Sequence, residues 1–369
     1  MMARTIFIII VVLHGFIHLL GFLKAFNLAE IAQLTQPIAK PAGFLWLLTT
    51  LFFIALSVVF LLHKEWWWMI AMPALALSQA LIILSWHDAK YGTILNVIIL
   101  AAAVAAYGAW SFHAMAEKEL KTFLLPAADE KRVLSREMIV NLPPVVKHWL
   151  VRSNVINREI IRTSFVQQKG EMRTAPDGRW MPFTAEQWVR TEKPGFFWLA
   201  DVEAAPGVHL AGRDKYEDGK GHMLIKLLSL IPIADARGNT IDQGSLVRYL
   251  AEIIWCPSAA VSELVQWEPI DATRAKAVMT YGGITATGIF TFDAQGDVVS
   301  FEARRYYDRK GGATLEDWFI SIDTSSYREF EGVRVAARST VTWKVKDGDF
   351  TWFRLEVTDM KYNTMMNKI

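Results

Sequence analysis

The sequence predicts an α-helical bundle of four membrane spans followed by a soluble, mainly antiparallel β domain, a curved sheet or half-barrel with one main helix. Three observations predict it. Apolar stretches dominate from Thr5 to Phe112, charged residues crowd the chain from Glu117 onward, and period-two alternation takes over after Arg158. Over 369 residues the hydrophobic share is 53%, and that average joins two classes of protein rather than describing one. The expected divisions are residues 1–116 for the bundle, 117–157 for a helical linker and 158–369 for the β domain.

Four apolar stretches reach the ~20 residues that a helix needs to cross a ~30 Å hydrocarbon core. They run over 5–26, 43–62, 66–86 and 92–113. The first has no small-residue cleavage site after it and reads as a retained span, not a signal peptide. Trp66, Trp67 and Trp68 at one end of the third span and Trp86 at the other suit interfacial aromatic belts. An even number of spans puts the N-terminus and the β domain on one side. Arg4, Lys64, Lys118, Lys121, Lys131 and Arg132 fall there, against Lys24, Lys40 and Lys90 opposite. That tally leans to the cytoplasm, but it draws on the approach to the β domain and leaves the side open. The expected location is the bacterial inner membrane.

Polar residues inside spans are costly and mark candidate sites. His14 and His18, four apart, share one face of the first helix near mid-membrane. Gln79 lies at similar depth in the third span. A haem would need an axial partner on another helix, yet His63, His87 and His113 fall at span ends, and zinc would need a third ligand in spans without Asp or Glu. No metal or cofactor is therefore expected. Hydrogen bonding of the histidines to Gln79, Ser78 or a carbonyl is the plainer reading, and a quinone, lipid or proton-handling role the sharper one. Asp88 and Lys90, in the short loop before the last span, form either a head-group site or a tight turn that satisfies helix ends.

In the linker, Leu134, Ile139 and Leu142, then Val145, Val146, Trp149 and Leu150 after Pro143-Pro144, suit short helices that dock on the β domain. Turn signals such as Asp218-Gly219 and Gly282-Gly283 then separate about ten strands, spaced as a meander. Asp242 is placed to cap a helix reaching about Trp255, with Leu246, Leu250 and Ile253 along one stripe. Phe196-Phe197-Trp198 puts aromatics on both faces of one strand, and residues 223–231, which include Leu227, are nearly all apolar. One apolar surface beyond an ordinary core follows: either a cavity on the concave side, closed by the helix, or a filled core with the surplus resting on the membrane or the bundle.

The segments Gly178-Arg179-Trp180-Met181-Pro182-Phe183-Thr184-Ala185-Glu186-Gln187, Asp235-Ala236-Arg237-Gly238, Arg248-Tyr249-Leu250-Ala251-Glu252 and Trp267-Glu268-Pro269-Ile270-Asp271 together resemble a bacterial family of membrane-anchored proteins of unknown function, over residues 135–363. The general shape is similar to lipoprotein-carrier half-barrels. That resemblance implies a fold and brings no activity with it.

A net charge of +2 and the absence of basic runs interleaved with aromatics argue against a nucleic-acid partner. Cys256 is the only cysteine, so no intrachain disulfide forms. The sequence contains no G-x-S-x-G, H-E-x-x-H, S-x-x-K, Walker A or G-x-G-x-x-G motif. Polar residues in apolar strands or on the helix are Glu186, Asp214, Tyr216, Asp235, Asp242, Arg248, Tyr249 and Glu252. Arg248 is expected either to pair with Asp235 or Asp242, or to hold an anionic head group with Tyr249. Glu186 and Glu252 would be the acid/base pair if they met. The expected ligand site is Arg248, Tyr249, Glu186, Asp235, Trp198 and Leu227, for a membrane lipid or another apolar small molecule. The two other readings are a membrane-bound enzyme acting on a lipid-like substrate and a structural component of an envelope complex.

Overall fold

The computed structural model describes residues 2–124, 131–309 and 311–364. Residues 125–130 of the expected linker, and 310 and 365–369 of the expected β domain, lie outside them. The chain divides into two compact units, residues 1–114 and 115–369.

The first unit is built from helices α1 (Met2–Ala25), α2 (Lys40–Leu61), α3 (Trp67–Leu84), the single turn α4 (Trp86–Ala89) and α5 (Gly92–Phe123), whose last residues belong to the second unit. Four of these are long and apolar enough to cross a membrane, and the shortest, 18 residues, still spans roughly 27 Å at the helical rise. The expected last span stops at 113; the helix continues ten residues further, so His113 sits inside it. Lys118 and Lys121 suit a helix that has become polar but has no breaker. The polarity of the bundle is inverted relative to a soluble one. His14, His18, Thr49, Thr50, Ser57, Ser78 and Asn96 are buried, whereas Ile9, Leu13, Phe16, Leu51, Ile54, Val97 and Val104 face outward. The hydroxyls of Thr49, Thr50 and Ser57 donate to carbonyls one turn back. Such an arrangement is compatible with a multi-pass membrane protein.

In the second unit, α6 (Pro144–Arg152) follows a 3-10 turn at Glu137–Ile139; Leu134 before the turn, Ile139 in it, and Val146, Trp149 and Leu150 of α6 are buried in the core of the β sheet. Strands β1 (Thr163–Met172), β2 (Met181–Arg190), β3 (Gly195–Ala205), β4 (Val208–Glu217), β5 (Lys220–Leu227) and β6 (Ile231–Arg237) form a first meander. Helix α7 (Asn239–Glu252) intervenes. A second series follows: β7 (Val265–Pro269), β8 (Arg274–Tyr281), β9 (Ile284–Phe292), β10 (Val298–Tyr307), β11 (Thr314–Ile322), β12 (Tyr327–Phe330), β13 (Val333–Ala336), β14 (Arg338–Val345) and β15 (Gly348–Tyr362). Pairing of β1 with β15 joins the two series into one antiparallel 13-stranded sheet, ordered β6-β5-β4-β3-β2-β1-β15-β14-β11-β10-β9-β8-β7, while β12 and β13 pair separately. The described residues thus hold fifteen strands where spacing suggested about ten; β7, β12 and β13, only four or five residues long, account for part of the difference.

The sheet curls into a half-barrel around α7, which packs on β4 and β5 from one series and on β9 and β10 from the other. Leu246, Leu250 and Ile253 are buried, as the stripe predicts. The expected cap is corrected. The helix starts earlier, behind Gly238, whose φ of 104° lets the chain reverse out of β6. Asp242 lies inside the first turn, 1% exposed, and accepts from the Gly221 amide at 2.8 Å and Lys220 Nζ at 2.9 Å, tying α7 to β5. The aromatics of β3 divide by parity: Phe196 and Trp198 point to the helix side, and Phe197 points outward against Phe123 and Trp188. The second apolar face of that strand is thereby covered by residues near 116–123 of the same unit.

The hairpin turns Asp218-Gly219 and Gly282-Gly283 have positive φ at both positions, the geometry of a two-residue turn between twisted strands. They also meet: a Cβ on Gly282 would lie 2.4 Å from the Gly219 Cα, whereas one on Gly283 would touch nothing. Replacing Gly283 by Ala should cost only the left-handed strain of about 1–2 kcal/mol, while Gly282→Ala should cost about 1–3 kcal/mol more through the backbone clash. Thermal unfolding of the two variants side by side checks this; equal losses would mean that the turns do not touch.

Candidate functional site

A cavity of about 260 Å³ lies between α7 and the concave face of the sheet. Its wall is mostly hydrocarbon and aromatic: Trp198 and Val202 of β3, Met223 and Ile225 of β5, Trp318 and Ile320 of β11, and Phe353 of β15. Alternation along each strand explains why. Residues two apart share a face, so Phe183, Ala185, Gln187 and Val189 of β2 all point to the core side.

A polar network occupies one end. Arg248 donates through Nε to Glu252 at 2.7 Å, through Nη1 to Asp214 at 2.8 Å and through Nη2 to Gln187 at 3.0 Å. Gln187 in turn donates to Glu252 at 2.6 Å, and the Trp198 indole donates to Gln168 at 2.9 Å. The Arg248 guanidinium also lies over the rings of Phe196 and Trp198. Burial works to lower this guanidinium, but the Glu252 and Asp214 carboxylates outweigh it and raise it above its ordinary value. The expected pairing of Arg248 with Asp235 or Asp242 is corrected: its partners come from β4 and from its own helix one turn on, because the strand register turns Asp214 inward opposite Met223.

Arg305, on β10, lines the same cavity. Its Nε donates to the Gly244 carbonyl at 3.0 Å, and its guanidinium stacks 4.9 Å from the Trp318 ring centroid. Among the described residues it has no carboxylate in ion-pair contact. Burial, and after it the neighbouring Arg248 charge, pull it down to about 10.

The other expected site residues fall elsewhere. Tyr249 is buried in the core near Cys256, Tyr216 and Tyr281, where burial raises its phenol well above the ordinary value. Glu186 points from β2 to the opposite face from Gln187 and does not meet Glu252. Leu227 pairs with Leu210 at the end of β5, past the part of that strand that lines the cavity. Asp235 sits on the edge strand and accepts from His222 Nε2 at 2.7 Å. The Arg213 guanidinium, 3.0 Å from His222 Nδ1, fixes that tautomer by offering its own N–H. Of the six residues expected for the ligand site, Arg248 and Trp198 line the cavity. Gln168, Gln187 and Arg305 went unnoticed in the sequence; strand parity around Ala185 and Val189 would have found Gln187.

In the first unit, the expected polar cluster forms around Asn96. His14 Nε2 lies 2.8 Å from Asn96 Oδ1, Ser78 donates to the same oxygen at 3.0 Å, and Asn96 donates to Gln79 at 3.0 Å. His18 donates from Nδ1 to the His14 carbonyl at 2.8 Å. Asp88 is hydrogen-bonded outside this cluster: it accepts from His87, from Thr35 Oγ1 and N, and from the Gln36 amide, which together hold its carboxyl well below the usual range. Lys90 is exposed beside the Tyr91 ring.

Residues 132–355 match the profile of a family of unknown function, DUF6544. The chain belongs to this family. Comparison with curated proteins gives no match. Among solved structures, this DUF6544 chain is similar to a domain assigned as an outer membrane lipoprotein-sorting protein from Vibrio parahaemolyticus, at 11% identity and a TM-score of 0.33, over 60% of this chain and 92% of that one. It is also similar to a DUF1329 family protein from Desulfovibrio piger, at 9% identity and a TM-score of 0.29, over 60% and 93%.

Removing the Arg248 guanidinium strands two carboxylates whose side chains are 14% and 13% exposed. Arg248→Met should therefore cost about 3–5 kcal/mol, and adding Asp214→Asn and Glu252→Gln should restore part of it; chemical denaturation of both variants tests this, and a loss below about 1 kcal/mol would show the network to be dispensable. His222 gives a pH signature. Burial lowers its imidazole below the ordinary value against the opposing pull of Asp235, so the unfolded chain takes up a proton that the folded one refuses. Stability should fall as pH drops below about 6.5, and His222→Gln should flatten that part of the profile.

Proposed function

We propose that the β domain binds a lipid or another apolar molecule in the cavity beneath α7, and that the four apolar helices anchor the chain in a membrane. The cavity itself carries the first part. Protein interiors normally fill such space, and a void walled by Trp198, Met223, Ile225, Trp318 and Phe353 is costly unless something apolar enters it. Its polar end is largely self-neutralised, since Asp214 and Glu252 already hold Arg248. The Arg305 guanidinium, without an ion pair among the described residues, is the group left to meet a carboxylate or phosphate head. Ile233 lines the cavity from edge strand β6 and is itself 54% exposed, beside an equally exposed Ile231, which makes this edge the natural entrance. Anchoring rests on the inverted bundle, whose outward side chains would face water as a continuous apolar surface in any other setting. Helical spans, as opposed to closed barrels, suit the bacterial inner membrane.

Titration of the full-length protein in detergent with cis-parinaric acid tests this reading. About one equivalent should bind, and Ile225→Trp, which fills the cavity, should weaken binding about tenfold or more. Competition with palmitic acid and hexadecanol should show Arg305→Gln weakening the acid more than the alcohol. Absence of binding, or binding indifferent to Ile225→Trp, would overturn the proposal.

A further inference from the structure

A second cavity, of about 270 Å³, lies wholly within the helical unit. Its wall includes His14 and His18 of α1, Trp46 of α2, Ile82 of α3, and Gly92 and Leu95 of α5, with Gln33, Asp88 and Tyr91 from the connections between the long helices as its other polar groups. Both histidines are 1% exposed, and each has one ring nitrogen without a hydrogen-bond partner: Nδ1 of His14 and Nε2 of His18. The partners of the other nitrogens decide what these two can do. A carbonyl oxygen only accepts, so His18 Nδ1 carries the proton that reaches the His14 carbonyl. In the neutral ring, Nε2 is then a bare acceptor. Asn96 spends its amide N–H on Gln79 and turns its oxygen to Ser78 and His14, so the His14 proton sits on Nε2 and its Nδ1 is bare as well. Two buried acceptors beside a mostly apolar cavity call for a donor, and a buried acceptor left unmatched is costly.

The aromatic surroundings narrow the class. The His18 ring lies 5.2 Å from the Trp46 ring and 5.6 Å from that of Phe53, and a Cβ on Gly92 would come within 2.9 Å of Ile82 and 3.5 Å of His14. Glycine there keeps this end of the cavity open. We propose that the helical unit binds a hydroxyl-bearing apolar ring, a phenol or hydroquinone head group, whose hydroxyl donates to the bare imidazole nitrogen of His18, with His14 as the second acceptor. An acceptor-only head such as a quinone or ketone finds no donor at those two nitrogens.

The test uses the full chain in lipid nanodiscs with ¹⁵N-labelled histidine, titrated with 4-pentylphenol and with its methyl ether, 4-pentylanisole. Reading the His14 and His18 resonances keeps binding in the β domain out of the measurement. The phenol should half-saturate these shifts at about one-tenth the concentration of the ether or lower. That preference should shrink to about twofold or less in His18→Phe, read at His14, and binding should be lost in Leu95→Trp, which fills the cavity and leaves both histidines in place. Equal affinities would overturn the proposal, as would a phenol preference that survives both substitutions, or tighter binding of 1,4-benzoquinone than of the phenol. Unchanged shifts with either probe would mean that the nitrogens hold water alone, and would overturn it too.

Discussion

The β domain depends on one packing solution: α7 lies inside the curl of a single antiparallel sheet and must carry a charged residue into that interior. A 13-stranded sheet with two free edges curls strongly because each strand is twisted against the next, and a helix is the compact object that fills the resulting groove. Leu246, Leu250 and Ile253 supply the apolar side of the contact. Arg248 supplies the register. Its three nitrogens reach β4, β2 and the last turn of α7 at once, so a slide or rotation of the helix would break its bonds to Asp214 and Gln187, while the bond to Glu252 travels with the helix. A fork of fixed geometry suits this role better than a flexible ammonium.

The same network determines what the remaining space can be. Asp214 and Glu252 at the polar end are committed to Arg248, and the other walls are mostly hydrocarbon. Arg305 is the exception, held by one carbonyl and a tryptophan face. The helical unit follows a parallel logic by different means: His14, Ser78 and Asn96 are buried, carry no carboxylate or ammonium, and are tied by hydrogen bonds through Asn96. Each unit thus sets a small polar motif against an apolar wall.

Much of this was legible in the sequence because it rests on period and length. The apolar spans and the stripe of α7 follow from local pattern. Asp218-Gly219 and Gly282-Gly283 mark their hairpins because a left-handed pair needs those residues. Partners were less legible. Asp214 meets Arg248 only because the β3–β4–β5 register turns it inward, and no local signal orders it ahead of Asp235 or Asp242. Arg305 was invisible for the same reason: it lies more than fifty residues from Arg248 and is brought to the cavity by β10 crossing α7. Glu252, four residues after Arg248 on one helix, was available from spacing alone.

Edge strand β6 explains how a cavity of this size can serve. At about 260 Å³ it falls just under the range of ~300–1,000 Å³ usual for small-molecule sites, so a bulky ligand needs the wall to yield. Strand β6 is paired on one side only, with β5, and a register shift between Ile225 and Lys226 interrupts that pairing. Leu228 and Ser229, in the turn between the two strands, both have positive φ without being glycine, which stores strain at the hinge of the hairpin. Moving β6 outward breaks one row of ladder bonds and the His222–Asp235 contact and leaves the Arg248 network intact. An edge strand paired on one side only therefore borders the apolar cavity, and its exposed Ile231 and Ile233 are the side chains an incoming apolar molecule would meet first.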